Sequence, residues 1–202
     1  MLNEKRTGPV ASSDGAVNAA RTDRTGASVI TPAHGEYNEA VVRDNVFMAA
    51  SQAADTWSVA LAGAHTGLCL SNPAGSNKNL SILKVGMAIS AAPAAIASIH
   101  LAGGYAPGGI TAHNAALVIY NMKLGSAAAS VAFADDDATL VGTPIYIYPL
   151  IGGFTAAALF SQPMATTDIG GSIMVPPGGY VFIAALTVAV GFGCIVWEEI
   201  AI

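Results

Sequence analysis

The longest uncharged stretch of the chain limits most strongly what the chain can fold into. Residues 176–197, within "VPPGGYVFIAALTVAVGFGCIVWEEI", are twenty-two consecutive residues without a charge. About 20 apolar residues are enough to cross a bilayer as a helix. This stretch, however, opens with Pro-Pro-Gly-Gly and contains Gly191 and Gly193, which disfavour a helix. No Lys or Arg flanks it, so the sequence favours buried strands joined by turns over a membrane anchor.

The composition is poor in charge for a chain of 202 residues. Hydrophobic residues make up 53% and charged residues only 10%, where about 25% charged is usual. Between residues 56 and 134 the only charges are Lys78, Lys84 and Lys123. Because the chain can cover little of its surface with charge, we expect copies of itself or another protein to cover part of it. The net charge of −5 offers no basic field for a nucleic acid.

Short apolar segments separated by Gly and Pro recur along the chain and predict an all-β sandwich or barrel. In "ILKVGMAIS", for example, Leu83, Val85, Met87 and Ile89 alternate with small or polar residues, as in a half-buried strand. The other predicted strands are residues 40–43 and 46–48 and the segments "TWSVALAG", "TGLCLS", "IASIHL", "LVIYNMKL", "PIYIYPL", "SIMV", "YVFIAAL" and "GCIVWEE". The Ala-rich segments "SAAPAAIASIH" and "TAAALF" leave short helices open as an alternative.

The first part of the chain differs from the rest. Residues 1–24 are polar with mixed charges, which is typical of an extended arm. We therefore divide the chain into an arm with lead-in strands (residues 1–50) and a β-sandwich domain (residues 51–202). The opening residues lack the apolar core of a signal peptide, so we expect the protein to be made and kept in a cytosol or to leave without such a signal. Cys69 and Cys194 are expected to be buried free thiols.

The sequence predicts no catalytic, cofactor-binding or metal site, and hence no enzyme. The four histidines (His34, His65, His100 and His113) lack the spacing of a metal site. Asp135, Asp136 and Asp137 leave a hard cation open, but a solvated acidic loop is favoured. Glu198 and Glu199 are adjacent in a predicted strand and therefore point to opposite faces.

Several phrases resemble virion structural proteins of tailed bacteriophages and prophages. They are "RTGASVITPAHGEYNEAVVRDNVFMAAS", "TGLCLSNPAGSNKNLSILKVG", "GTPIYIYPL", "VPPGGY" and "GFGCIVWEE". The resemblance runs from about residue 21 to residue 199, and "VPPGGY" followed by an apolar strand and "WEE" is its most specific part. Such proteins are similar to the jelly-roll decoration, or cement, proteins that sit as trimers on capsids.

The resemblance implies a jelly-roll-like sandwich with a polar arm that forms a homotrimer on the outer surface of a phage head. Its partners would be its own copies and the major capsid protein, without a nucleic acid, a membrane or a cofactor. The protein would be made in the host bacterial cytoplasm and located on the capsid surface of the virion. The candidate interface residues are Arg21, Arg24, Tyr37, Phe47, Trp57 and Trp197.

Two other functions remain open at this point. A tail or baseplate component would have the same composition. A host-glycan-binding module could use the loops "GGYAPGG" and "NPAGSNKN", although glycan sites usually present aromatic platforms and only Tyr105 is available there. The number of subunits and the surface that contacts the shell are not determined by the sequence.

Overall fold

The fold is taken from a computed structural model that describes residues 35–57, 59, 61, 63–91, 93–106, 110–154 and 165–202. The chain separates into two units, Met1–Asn38 and Glu39–Ile202. The predicted arm (residues 1–24), including Arg21 and Arg24, and His34 lie outside the described residues. The architecture below is that of the second unit.

One short helix and twelve strands make up the described elements. They are α1 (Asn38–Val42), β1 (Val46–Ala50), β2 (Asp55–Trp57), β3 (Gly63–Ser71), β4 (Lys78–Ala91), β5 (Ala97–Tyr105), β6 (Ile110–His113), β7 (Tyr120–Asn121), β8 (Phe133–Leu140), β9 (Ile145–Phe154), β10 (Ala165–Val175), β11 (Gly179–Ala185) and β12 (Ala189–Ala201). β1, which the predicted division placed with the arm, is a strand of the sandwich.

The strands form two antiparallel sheets that pack face to face, which confirms the predicted all-β sandwich. The first sheet has the order β10-β4-β12-β1-β7, and β2 also pairs with β12. The second sheet has the order β6-β8-β3-β11-β5-β9. Both sheets contribute to one core, which contains Leu68, Ile82, Val85, Ile99 and Ile183. The long apolar run at the end of the chain supplies β11 and β12, one to each sheet.

The pairing of the strands is nested along the chain. β1 pairs with β12, β3 with β11, β4 with β10 and β5 with β9. The first strand therefore meets the last, and each later pair lies inside the previous one. "VPPGGY" forms the turn between β10 and β11, where Gly178 has a φ of 86° and Gly179 N donates to Pro176 O. This turn carries the chain from the first sheet to the second, as the Pro and Gly residues predict.

Residues 110–140, which we call the insertion, close one side of the sandwich. Within the insertion, β8 pairs with β3 of the second sheet, and β7 pairs with β1 of the first sheet. Leu117, Ile119 and Val131 pack against the shared core. The insertion thus covers the two strands, β1 and β3, that would otherwise end their sheets on this side.

A second, smaller apolar layer lies on the outer face of the second sheet. Cys69, Phe182 and Ala184 are fully buried there, and Leu61 and Ile110 pack against them. Since Leu70, Val181 and Ile183 face the main core, β3 and β11 are apolar on both faces. A near-continuous apolar run such as "YVFIAA" is typical of a strand buried on both sides.

Several sequence predictions need correction. Residues 40–43, predicted as a strand, belong largely to α1. Among the described residues of "TWSVALAG", the first two end β2 and Gly63 begins β3, while residues 59 and 61 are not in a strand. Of "LVIYNMKL", only β7 is a strand. The rest is irregular chain that passes from one sheet to the other. The predicted strands at 46–48 and in "PIYIYPL", "SIMV", "YVFIAAL" and "GCIVWEE" are confirmed, and "TAAALF" lies outside the described residues.

Candidate interaction surface

The side of the sandwich opposite the insertion ends in β9 and β10, each the last strand of its sheet among the described residues. Between them runs a groove of about 340 Å³, which we call the edge groove. β9 lines it with Ile145 and Ile147, and β10 lines it with Met174 and Val175. Tyr105 at the end of β5 also lines the groove. The two sheets thus contribute apolar walls to one channel.

The edge groove is exposed and carries no charge. Ile145 is 62% exposed, Met174 48% and Tyr105 63%, and none of the lining residues is charged. Gly103 keeps the floor open, since a Cβ there would lie 2.9 Å from Ile147 Cδ1 and 2.7 Å from Tyr180 O. Contiguous exposed apolar surface of this kind marks interaction sites in soluble proteins.

β10 and β9 differ in how they are protected against pairing with other strands. β10 has a register shift between Asp168 and Ile173 and carries the charge of Asp168. β9 carries no charge, but it contains Pro149 and has three register shifts in its pairing with β5. Natural edge strands avoid association through charges, prolines and bulges. Both edge strands therefore carry interruptions that limit pairing with other strands.

A second apolar hollow lies on the outer face of the first sheet. It also has a volume of about 340 Å³ and is lined by Phe192, Cys194 and Val196 of β12 and by Gly86 and Ala88 of β4. Phe192 is 39% exposed. Lys84 and Asp168, whose charged atoms are 4.0 Å apart, provide the charge at its edge. Burial raises the pKa of Cys194 above its usual value, so its thiol is not activated.

Three of the candidate interface residues predicted from the sequence lie in the core and not on the surface. Trp57 and Trp197 are 0% exposed and Phe47 is 2% exposed, and all three belong to the core of one chain. The rings of Phe47 and Trp197 stack at 6.3 Å between centroids. These aromatic side chains therefore pack the sandwich and present no surface to a partner. Tyr37 is half-buried.

Glu199 is a buried anchor. Its carboxylate accepts hydrogen bonds from Lys78 Nζ at 2.7 Å, Ser130 Oγ at 2.5 Å and the Val131 backbone N at 2.8 Å. Lys78 belongs to β4, and the other two donors belong to the insertion. Glu198, the next residue towards the N-terminus, faces outward, as predicted for adjacent residues of a strand. Glu199 thus joins the insertion to the first sheet.

The three acidic residues at 135–137 lie in strand β8, so the predicted solvated acidic loop is wrong. Asp135 is 0% exposed, and its Oδ2 is 2.6 Å from His113 Nδ1. Burial raises the pKa of Asp135, and the hydrogen bond with His113 opposes this effect. The His113 ring also lies 4.7 Å from Phe133. This His–Asp pair joins β6 to β8.

His65 is a buried histidine that the sequence did not single out. It is 0% exposed, and its ring lies 4.5 Å from that of Phe182. Neither ring nitrogen has a hydrogen-bond partner in the described part of the chain. Burial lowers the pKa of His65 to about 4, because the site disfavours the charged form. His100, by contrast, is half-buried on β5, with its Nε2 3.0 Å from Ser98 Oγ.

Two features are absent from the described residues. No set of three His, Cys, Asp or Glu side chains within them is arranged to hold a metal ion. None of their helices is long and apolar enough to cross a membrane.

No protein family, no curated protein and no solved structure matches this chain. The function must therefore be argued from the surface and the topology.

Proposed function

We propose that this chain is a structural protein that forms a symmetric oligomer and decorates the outer surface of a tailed-phage head. The observation that carries the proposal is the uncharged edge groove between β9 and β10. A groove with exposed Ile145, Ile147 and Met174 is costly to leave in water, since apolar surface contributes about 25 cal/mol per Å² when it is buried. Binding of a second copy removes this surface from water.

The topology supports a jelly roll in particular. A jelly roll has eight strands in two Greek keys, and rolling up one long hairpin produces it. The nested pairs β1–β12, β3–β11, β4–β10 and β5–β9 follow that arrangement, with β12 next to β4 and β11 next to β5. The remaining strands, β2 and those of the insertion, add to this frame. The jelly roll is a frequent fold of viral capsid proteins.

The sequence resemblance supports the location on a phage head. The phrases that carry the resemblance supply β1, β4, β9 and β12 and the turn before β11. A cement function needs no chemistry, because it consists of burying apolar surface against subunits of the shell and against neighbouring copies. In that arrangement we expect a trimer whose partner is the major capsid protein.

Sedimentation velocity in detergent-free buffer tests the self-association. We expect a single species of about three chains for the wild type, since obligate interfaces bury about 2,000–5,000 Å² of largely apolar surface. Ile147→Asp places a charge in the edge groove and should shift the species towards the monomer. Ile96→Asp is the matched control, because Ile96 is 67% exposed but lies outside the groove.

Two results would count against the proposal. If the wild-type protein stays monomeric at micromolar concentration, the edge groove does not mediate self-association. Equal effects of Ile147→Asp and Ile96→Asp would mean that the oligomer, if present, uses another surface.

A further inference from the structure

Two carboxyl groups and a hydroxyl meet where the second sheet passes the turn after β1. Asp136 lies in β8, Asp55 begins β2, and Ser51 follows β1. The Ser51 hydroxyl donates a hydrogen bond of 2.9 Å to Asp136 Oδ1. The carboxyl groups of Asp55 and Asp136 lie within hydrogen-bonding reach of each other. The cluster therefore links β2 of the first sheet to β8 of the second.

The backbone holds these side chains in place. Ser51 N donates to Gly193 O at 2.9 Å, and Asp136 N donates to Ala115 O at 2.9 Å. Asp55 is paired with Gly191 in the register of β2 and β12. Since each of the three residues belongs to a hydrogen-bonded segment, the strands hold the backbones of Asp55 and Asp136 at a fixed separation.

The hydrogen-bond donors at the cluster are too few for two ionised carboxylates. An ionised carboxylate only accepts, and a serine hydroxyl has one proton to donate. The Ser51 hydroxyl acts on both Asp136 and Asp55, so the two carboxyl groups have one side-chain donor between them, and Asp55 Oδ2 is buried without a partner within the described residues. A proton held between the two carboxyl groups would supply the missing donor.

The charged surroundings do not compensate the pair. On β8 the next acid, Asp137, also acts on Asp55 and repels its charge. The other two residues that face Asp55 are uncharged. Gly191 on β12 has no side chain, and Ser51, on the turn after β1, is neutral. The carboxyl group of Asp135 is hydrogen-bonded to His113 and does not act as a donor to the pair. No Lys or Arg in the part of the chain that the structure describes acts on Asp55.

We propose that Asp55 and Asp136 share one proton and form a pH-dependent latch between the two sheets. The latch is closed when the pair holds the proton. It weakens when both carboxyl groups are ionised, because two like charges then lie side by side without a donor between them. Opening would loosen β2 and the adjoining part of the insertion while leaving the rest of the sandwich paired.

The direction of the pH dependence follows from the two states of Asp55. Burial, and then contact with Asp136, raises the pKa of Asp55 to about 7. The same carboxyl titrates near about pH 3.9 in an unfolded chain. Because the folded chain binds the proton more tightly, the latch contributes fully below about pH 4 and is lost as the pH rises to about 7.

Asp55→Asn tests the latch, because an amide can donate to Asp136 at every pH. We expect the melting temperature of the wild type, relative to that of Asp55→Asn, to fall by several degrees between about pH 5 and about pH 8. Asp168→Asn, an exposed acid of β10, is the matched control and should give a constant difference. If the difference between the wild type and Asp55→Asn is as constant as that of the control, the latch does not exist.

Hydrogen exchange on the wild-type protein gives a second measurement that does not depend on a variant. After correction for the intrinsic effect of pH, peptides that cover β2 and β8 should exchange faster at about pH 8 than at about pH 6, whereas β11 peptides should not. Uniform protection at both pH values would overturn the proposal. Each measurement is repeated with calcium and with a chelator. If calcium restores protection at about pH 8, the pair is a cation site, and the proposal of a shared proton is wrong.

Discussion

Replacing Glu199 by Ala should destabilise the sandwich far more than the same change at Glu198. Glu199 is buried and accepts hydrogen bonds from Lys78, Ser130 and the Val131 backbone N, whereas Glu198 faces outward on the same strand. The two variants remove the same side chain from neighbouring positions, so their difference isolates the buried contacts.

The size of the effect follows from the groups that lose their partner. Removing one partner of a buried ion pair costs about 3–5 kcal/mol. The Lys78 side chain is 34% exposed and can regain water, so the lower end applies. A buried backbone N–H that is left unpaired, here that of Val131, costs about 1–3 kcal/mol and is part of this sum. We therefore expect a loss of about 3 kcal/mol, or a fall in melting temperature of about 6–12 °C for a chain of this size.

Urea unfolding followed by tryptophan fluorescence measures this loss, since both Trp57 and Trp197 are buried in the core. The experiment is done at one protein concentration, because association adds to apparent stability. Glu198→Ala should change the free energy of unfolding by no more than about 0.5 kcal/mol. If Glu199→Ala is no more destabilising than Glu198→Ala, the carboxylate does not anchor the insertion.

Three further predictions concern the core, a buried base and the arm. Trp197→Ala removes a fully buried ring that stacks on Phe47 and should cost about 3–5 kcal/mol; an unchanged melting temperature would contradict its place in the core. His65 must stay neutral when folded, because its pKa is about 4; its contribution is complete above about pH 6.5 and is lost as the pH falls towards 4. The stability of the wild type relative to His65→Leu should therefore fall over that range, and a flat difference would refute it. Deletion of residues 1–24 should leave a folded, oligomeric β-domain that binds phage heads more weakly; equal binding in co-sedimentation would mean that the arm is not needed.

The strands that the sequence predicted best are those whose burial repeats at short range. In β4, Val85, Met87 and Ile89 pack on the core, as their alternation with small and polar residues predicts. β11 and β12 were recognised because an uncharged run interrupted by Gly and Pro has few other ways to fold. Their pairing partners were not predictable, since β12 meets β1 and β4 through contacts between residues far apart in the sequence.

The wrong predictions also arise where the surrounding fold overrides the local sequence pattern. Val41 and Val42 favour strands, but a single short turn of helix, α1, precedes β1. The apolar "LVIYNMKL" reads as a strand, yet Leu117 and Ile119 serve as irregular chain packed on the side of the core. Asp135 looked solvated because acidic residues seldom lie inside a strand, and only the distant His113 makes its burial possible.

The sequence predicted part of the edge groove. The alternation of Ile145 and Ile147 with tyrosines predicted β9, and the scarcity of charge predicted that apolar surface would remain exposed. No local pattern indicated that β9 and β10 end their sheets on the same side, which is what creates the edge groove. For the same reason the sequence placed the interface on large aromatic residues, which the fold uses for its core.

Co-sedimentation with tailed-phage heads prepared without this protein tests the proposed function most directly. Full-length protein should pellet with the heads, saturate at a fixed ratio to the major capsid protein, and lose this binding when Ile147→Asp breaks the oligomer. Heads that leave the protein in the supernatant, while tails or baseplates of the same phage bring it down, would contradict a function on the capsid.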